Sequence, residues 1–159
     1  MSRLHNGQQF PSLSLPAVGG GSIGLPDDLA GSFGIVLIYR GSWCPYCNAQ
    51  LAAFSRASET LAELNAKVVA LSVDDEATSA DLVEKHKLRF PVAHSADVDK
   101  VSEATGAYVS ADRSYLQSSG FVLNPQGEVI TAVYSSEAIG RLVADDVVGF
   151  LRYIKADEG

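Results

Sequence analysis

The stretch Tyr39-Arg40-Gly41-Ser42-Trp43-Cys44-Pro45-Tyr46-Cys47 directly follows the apolar run Ile35-Val36-Leu37-Ile38. It holds both cysteines of this 159-residue chain, three positions apart. An uninterrupted apolar run is typical of a central strand that is covered on both faces. A Cys-x-x-Cys pair where such a strand passes into a helix is a candidate redox centre, because a thiolate is stabilised there and a disulfide can close.

Apolar spacing downstream of the cysteines predicts a helix, a second buried strand and another helix. Four large apolar residues fall on one face of a helix that begins near Cys47: Leu51, Phe54, Leu61 and Leu64. Val68–Val73 predicts the strand. The sequence Thr78-Ser79-Ala80-Asp81 matches a capping box, which predicts a helix from there to about Lys87.

The remainder of the chain predicts further short elements. These are a strand over Pro91–Ala93, a helix over Val98–Thr105 that ends at Gly106, a hairpin of Gly120–Leu123 and Val129–Tyr134 around Asn124-Pro125-Gln126-Gly127, and a final helix that carries Val147, Val148, Leu151 and Ile154.

The part of the chain before the apolar run, up to Gly34, is rich in Gly, Pro and Ser and predicts an N-terminal extension of short strands and turns. The order of the later elements is β-α-β-α-β-α-β-β-α. The sequence therefore predicts an α/β fold, with a mixed central sheet, helices on both faces and an N-terminal β extension, as a single domain over residues 1–159.

The composition and charge of the chain limit the classes of partner that it can bind. The formal net charge is −7, and no cluster of Lys and Arg is present to neutralise phosphates, so we expect no nucleic-acid partner. The first residues lack the apolar core of a secretory signal, and no run approaches the roughly 20 apolar residues that span a membrane. We therefore expect a soluble cytoplasmic protein with no membrane partner.

The position of the two cysteines predicts different roles for them. A helix N-terminus presents free N–H groups and a partial positive charge, so Cys44 should be shifted toward the thiolate and act as the nucleophile. Pro45 suits the first helical turn because its missing N–H is no loss there. Cys47 lies one turn further and can resolve a mixed disulfide or a sulfenic acid on Cys44.

Neighbouring residues are candidates for support of this chemistry. Arg40 can supply a positive charge to the thiolate, and Trp43 can form an apolar wall that limits water, although either can equally serve packing or solubility. A structural zinc site needs about four ligands, and His5, His86 and His94 are scattered without metal spacing. A structural disulfide, or two inert core cysteines, remain as alternatives.

Several segments resemble the peroxiredoxin-like branch of the alkyl hydroperoxide reductase and thiol-specific antioxidant (AhpC/TSA) family, in the thioredoxin superfamily. The resemblance is carried by Gly7–Pro16, by Tyr39–Cys47 with Gln50-Leu51, and by Leu88–Asp97. It implies a thioredoxin fold. It also implies a peroxidase in which Cys44 attacks the O–O bond, becomes a sulfenic acid and closes a disulfide with Cys47, which a thioredoxin- or glutaredoxin-type protein or a small thiol would reopen.

The chain departs from the family pattern at three positions. Typical members have a proline seven residues and a threonine three residues before the peroxidatic cysteine, where this chain has Leu37 and Gly41. The family arginine before the late strand is replaced by Ser118, where thioredoxin-type oxidoreductases have a cis-proline. The missing threonine and arginine would be hydrogen-bond donors to the peroxide. Four residues could replace them because of their charge or their position in the sequence: Arg40, Ser42, Arg113 and Ser118.

Two functions other than a peroxidase acting on hydrogen peroxide or organic hydroperoxides stay open. One is a general thiol-disulfide oxidoreductase, and the other is a non-catalytic thioredoxin-fold binding module. Neither redox function requires a cofactor, since the electrons come from a protein dithiol. The oligomeric state, monomer or homodimer, also stays open.

Overall fold

The computed structural model describes residues 2–158, which form seven strands, five α-helices and a short 3-10 helix at Asp27–Leu29. The strands are β1 (Leu13–Pro16), β2 (Ser22–Leu25), β3 (Phe33–Ile38), β4 (Ala66–Leu71), β5 (Val92–Ala93), β6 (Ser119–Leu123) and β7 (Val129–Tyr134). The helices are α1 (Pro45–Arg56), α2 (Ser58–Glu63), α3 (Glu76–His86), α4 (Val98–Thr105) and α5 (Ala144–Glu158).

Five strands form one mixed sheet in the order β5-β4-β3-β6-β7. The β3, β4 and β5 strands run parallel, whereas β6 is antiparallel to β3 and β7 is antiparallel to β6. In the register, Ile38 at the end of β3 lies beside Ser119 at the start of β6, which lies beside Tyr134 at the end of β7. The segments that follow β3, precede β6 and follow β7 therefore meet at one edge of the sheet.

Each face of this sheet is covered by a different set of apolar side chains. Leu51 of α1, Leu82 of α3 and Leu151 of α5 pack on one face. Val101 of α4 and Ile23 of the antiparallel β1-β2 hairpin pack on the other. The predicted fold class, with a mixed sheet, helices on both faces and an N-terminal β extension, is confirmed.

The single helix predicted after Cys47 is wrong, because the chain breaks it at Ala57 into α1 and α2. Serine side chains on both sides of the break bond to carbonyl oxygens: Ser58 Oγ donates to the Ser55 carbonyl at 2.6 Å, and Ser55 Oγ donates to the Lys87 carbonyl at 2.9 Å. Such local bonds compete with regular helical ones. The apolar face was nevertheless predicted correctly, since Leu51 and Leu61 are buried.

Two predicted boundaries shift by a few residues. The carboxylate of Asp75 accepts the Thr78 N–H at 2.8 Å, so Asp75 caps α3 and Thr78 lies inside the helix. Aspartate caps a helix as well as threonine does, which is why the capping-box pattern placed the start too late. The strand predicted over residues 68–73 is Ala66–Leu71, because it pairs residue by residue with β3.

Candidate active site

Both cysteines lie at the start of α1, where β3 leads into it, and both are free thiols with fully buried side chains. Cys44 is the N-cap residue, and its sulfur accepts the Cys47 backbone N–H at 3.3 Å. Pro45 is the first residue of the helix, as predicted. The free N–H groups and partial positive charge of the helix terminus therefore face the Cys44 sulfur.

The Arg40 guanidinium is a buried donor beside Cys44. Its Nη1 donates to the Cys44 sulfur at 3.7 Å, and its Nε donates to Gln117 Oε1 at 3.0 Å. Its Nη2 bonds to Tyr115 Oη at 3.2 Å and to Glu137 Oε1 at 3.3 Å. Because these partners come from the segments before β6 and after β7, the sheet edge itself holds the guanidinium in place.

Arg141 is a second guanidinium at the sulfurs, and the sequence analysis missed it. Its Nη2 lies 3.2 Å from the Cys47 sulfur and 3.8 Å from the Cys44 sulfur, and its Nη1 donates to the Ala138 carbonyl. It belongs to the segment after β7. No local motif marks it, but the antiparallel β6-β7 hairpin returns that segment to the edge where β3 ends.

The two cysteines have opposite pKa shifts. Burial alone would raise the pKa of Cys44, but hydrogen bonds from the Cys47 side chain and backbone and from Arg40, together with the charge of Arg141, lower it below its usual value. Burial raises the pKa of Cys47, and the hydrogen bond with Cys44 raises it further. Cys44 therefore loses its proton more readily than Cys47 does.

These shifts predict a two-step pH profile for alkylation. With rising pH the rate at Cys44 should increase through its lowered pKa and level off before Cys47 begins to react, because only the thiolate is nucleophilic. Iodoacetamide labelling at a series of pH values, with each cysteine quantified by peptide mass spectrometry, measures both profiles. Labelling of Cys44 only above the usual thiol pKa of about 8.5 would contradict the assignment.

Asp74 anchors the loop that carries the cysteines. Its Oδ2 accepts the Ser42 backbone N–H at 2.8 Å, and Asn48 Nδ2 donates to the Ser42 carbonyl at 2.9 Å. Burial raises the pKa of Asp74, and the hydrogen bond from Ser42 opposes this. This half-buried residue therefore holds the active-site loop.

The remaining candidates differ in their distance from the chemistry. Trp43 is exposed over 54% of its surface and stacks edge-on against Tyr115 while Arg40 lies over its ring. Ser118 is buried, and its carbonyl accepts the Ser135 N–H. It therefore holds the residue that directly follows β7. Arg113 pairs with Asp99 and does not reach the sulfurs.

Comparison with known proteins identifies the family. A sequence profile described as the AhpC/TSA family matches residues 6–132. The chain belongs to the AhpC/TSA family. A peroxiredoxin of Thermotoga petrophila is 25% identical over 158 residues, covering 96% of this chain and 72% of that protein. Alkyl hydroperoxide reductase C of Mycolicibacterium smegmatis is 27% identical over 176 residues, covering 99% and 88%.

Solved structures show the same fold. Peroxidoxin BcpB from Mycobacterium tuberculosis superimposes with a TM-score of 0.81 at 19% identity, over 96% of this chain and 99% of that one. The thioredoxin fold predicted from the resemblance is thus confirmed. Arg141 lies beyond the segment that the AhpC/TSA profile matches.

The indole of Trp43 lies against Gly41, at the position where typical members of the family have threonine. A Cβ added at Gly41 would collide with the indole, coming within 2.8 Å of its Cδ1. The indole therefore occupies the space that a threonine side chain would need. In this chain the donors at Cys44 come from guanidinium groups instead of a hydroxyl at that position.

We expect Gly41→Thr to impair the site, although it restores the residue typical of the AhpC/TSA family. The new side chain should displace the indole from Tyr115 and Arg40 and slow oxidation of Cys44. Trp43 is the single tryptophan of the chain, so its fluorescence reports the displacement directly. A faster reaction with peroxide and an unchanged emission spectrum would contradict this account.

Within residues 2–157, no three His, Cys, Asp or Glu side chains are grouped so that they could hold a metal ion. No helix in the same part of the chain is long and apolar enough to cross a membrane.

Proposed function

We propose that the protein is a thiol-dependent peroxidase in which Cys44 is the peroxidatic cysteine and Cys47 resolves it. The observation that carries the proposal is the Cys44 sulfur at the N-cap of α1, with its lowered pKa and the Arg40 and Arg141 guanidinium groups within 4 Å. Membership of the AhpC/TSA family supports it.

The first step is an attack by the Cys44 thiolate on the terminal oxygen of a hydroperoxide. An S–O bond forms, the O–O bond breaks, and the leaving oxygen takes up a proton as an alcohol or water. Charge develops on that oxygen, and fixed donors at such a position commonly supply the largest stabilising effect. Arg40 and Arg141 are the donors we assign to it, in place of the family threonine and arginine.

The second step closes the disulfide. The Cys47 thiol loses its proton and attacks the sulfenic acid on Cys44, which releases water and joins the two sulfurs. The Cys47 N–H already bonds to the Cys44 sulfur at 3.3 Å, so the two residues are adjacent before the reaction. A thioredoxin- or glutaredoxin-type dithiol, or a small thiol, then supplies two electrons that restore both thiols.

The other site residues have supporting roles in this proposal. Ser42 holds the cysteine loop through its backbone, Pro45 starts the helix, and Trp43 covers the Arg40 guanidinium. Ser118 supports the edge of the sheet and does not act on the sulfurs, because its carbonyl holds Ser135.

We further propose one domain over residues 1–159 and a cytoplasmic location, where dithiol reductants are available. Sedimentation analysis distinguishes a monomer from a homodimer.

A coupled assay tests the function. The protein is mixed with thioredoxin, thioredoxin reductase, NADPH and hydrogen peroxide, and we expect NADPH consumption that depends on both the peroxide and the protein. Insulin reduction by the protein with dithiothreitol as the electron source, without thioredoxin and without peroxide, measures general disulfide reductase activity. Insulin reduction without peroxide-dependent consumption would overturn the proposal in favour of a thiol-disulfide oxidoreductase.

A further inference from the structure

The edge of the sheet at β4 is only partly covered. The β5 strand has two residues and pairs with Ala70 and Leu71 alone, whereas β4 begins at Ala66. On its other side β4 pairs with β3 along its whole length. Within residues 2–158, the stretch Ala66–Val69 therefore has no neighbouring strand on its outer side.

The backbone N–H and C=O groups of Val68 point to this open side. The Ala70 N–H donates to the Pro91 carbonyl at 3.2 Å, and the backbone groups of every second residue in a strand point the same way. Pro91 has no N–H, so it cannot extend the pairing to the Val68 carbonyl. Val68 has no backbone partner on this side in the described part of the chain, although it is only 7% exposed. Unpaired buried backbone groups are costly, so a ligand that supplies one acceptor and one donor would be stabilised here.

An apolar cavity of about 350 Å³ lies against this open edge. Leu61 and Phe90 line it and belong to the core on one face of the sheet, whereas Ile23 and Leu29 line it and belong to the core on the other face. Successive side chains of an extended chain point to opposite faces of a sheet. A chain that continued the sheet beside β4 would therefore meet apolar walls on both sides.

Two cations flank the cavity. Lys67 and Arg89 line it, both are exposed, and neither has an ion pair in the described part of the chain. The carboxylate among the lining residues, that of Asp28, already accepts the Gly24 N–H at 2.8 Å. The open edge Ala66–Val69 and this cavity, here called the β4 edge groove, are thus locally cationic in a chain whose net charge is −7.

We propose that the β4 edge groove binds an extended peptide segment of another protein, with apolar residues at its centre and acidic residues at its ends. The peptide adds a strand to the sheet: its backbone pairs with Val68, its apolar side chains enter the cavity, and its carboxylates meet Lys67 and Arg89. None of the residues that contact the cysteine sulfurs lines this cavity. The inference therefore goes beyond the proposed peroxidase function and does not depend on it.

A second copy of this chain suits the groove less well than an acidic peptide does. Pairing of two β4 edges would bring Lys67 and Arg89 of one copy against the same cations of the other. A lysine on an edge strand disfavours such pairing between identical copies. A peptide that carries carboxylates has the opposite charge and is attracted to the same two side chains.

The test uses a five-residue peptide with glutamate at both ends and valine, isoleucine and valine between them, blocked at both termini and labelled with fluorescein. Two further versions each carry one N-methyl group, on the isoleucine or on the valine that follows it. Neighbouring N–H groups of an extended chain point to opposite edges, so only one of these methyl groups faces β4. We expect one methylated peptide to bind at least about tenfold more weakly than the parent, by fluorescence anisotropy, and the other within about twofold of it. No binding of the parent, or equal affinities of the two methylated peptides, would overturn the proposal.

Variants of the protein locate the site. Lys67→Gln/Arg89→Gln should weaken binding of the parent peptide about fivefold. Arg56→Gln/Arg152→Gln is the matched control, because it removes the same charge from exposed residues that line a different cavity, and it should bind like the wild type. Equal weakening in both double variants would show that only overall charge matters and would overturn the site.

Two further measurements use the wild-type protein and so do not depend on the folding of a variant. Saturation with the parent peptide should slow solvent exchange of the Val68 N–H, measured by nuclear magnetic resonance, and unchanged exchange there would overturn the proposal. Laurate offers an apolar chain and a carboxylate but no backbone amide. At the same concentration as the peptide it should displace little of it, and displacement of most of the peptide would assign the groove to an aliphatic anion instead.

Discussion

Cys44→Ser should abolish peroxide reduction, because the attacking thiolate is lost and no other described side chain at the site is a comparable nucleophile. Cys47 is adjacent, but burial raises its pKa and keeps it protonated at neutral pH. We expect no burst of peroxide consumption and no turnover in the coupled assay. Serine has the shape of cysteine with a smaller atom in place of sulfur, so the fold should be retained, which circular dichroism checks.

Cys47→Ser is the partner experiment. It should consume one equivalent of peroxide per chain and then stop, because Cys44 is oxidised but no thiol closes the disulfide. The sulfenic acid that accumulates is trapped with dimedone and located by mass spectrometry. Sustained turnover by Cys44→Ser, or dimedone labelling of Cys47 in that variant, would contradict the assignment of roles.

Replacement of both guanidinium groups should cause the next largest loss. In Arg40→Gln/Arg141→Gln the leaving oxygen has neither charged donor, and removal of one such donor from an enzyme typically costs about 10²–10³ in rate. We therefore expect the second-order rate of Cys44 oxidation by hydrogen peroxide to fall at least about 10²-fold. Stopped-flow measurement against peroxide concentration gives this rate.

Three controls separate this effect from its alternatives. Ultraviolet titration of the thiolate shows how much of the loss comes from a higher pKa of Cys44, so that the rate per thiolate can be compared. Arg141→Gln alone leaves the buried Arg40 network intact and tests the donor without that disturbance. Arg113→Gln, remote from the sulfurs, should react like the wild type. An unchanged rate per thiolate in the double variant would show that the guanidinium groups are not donors.

The fold follows from the sequence wherever the local signal and the tertiary environment agree. Helix Val98–Thr105 ends at Gly106 as predicted, because a left-handed φ of 81° at that position favours glycine. The late hairpin follows from the turn residues between its apolar strands. The break at Ala57 could not be predicted, because it depends on a bond from Ser55 to Lys87, 32 residues away.

Only those residues of the candidate site that lie close to the cysteines in the sequence could be predicted. The placement of Cys44, Pro45 and Cys47 at the start of a helix follows from the local sequence. Arg141 lies 97 residues from Cys44 and reaches it through the strand order of the sheet, so no local pattern indicates it. Once β6 and β7 are known to form a hairpin antiparallel to β3, the segment after β7 becomes a natural place to search for a missing donor.

In our proposal the Cys44 thiolate, held by Arg40 and Arg141, reacts with peroxides in preference to disulfides. The direct test mixes the reduced protein with hydrogen peroxide or with oxidised glutathione in a stopped-flow instrument and follows the fluorescence of Trp43, which lies against Arg40. We predict a larger second-order rate constant with peroxide. A larger constant with the disulfide, or a constant with peroxide no greater than that of a free thiol, would contradict the account.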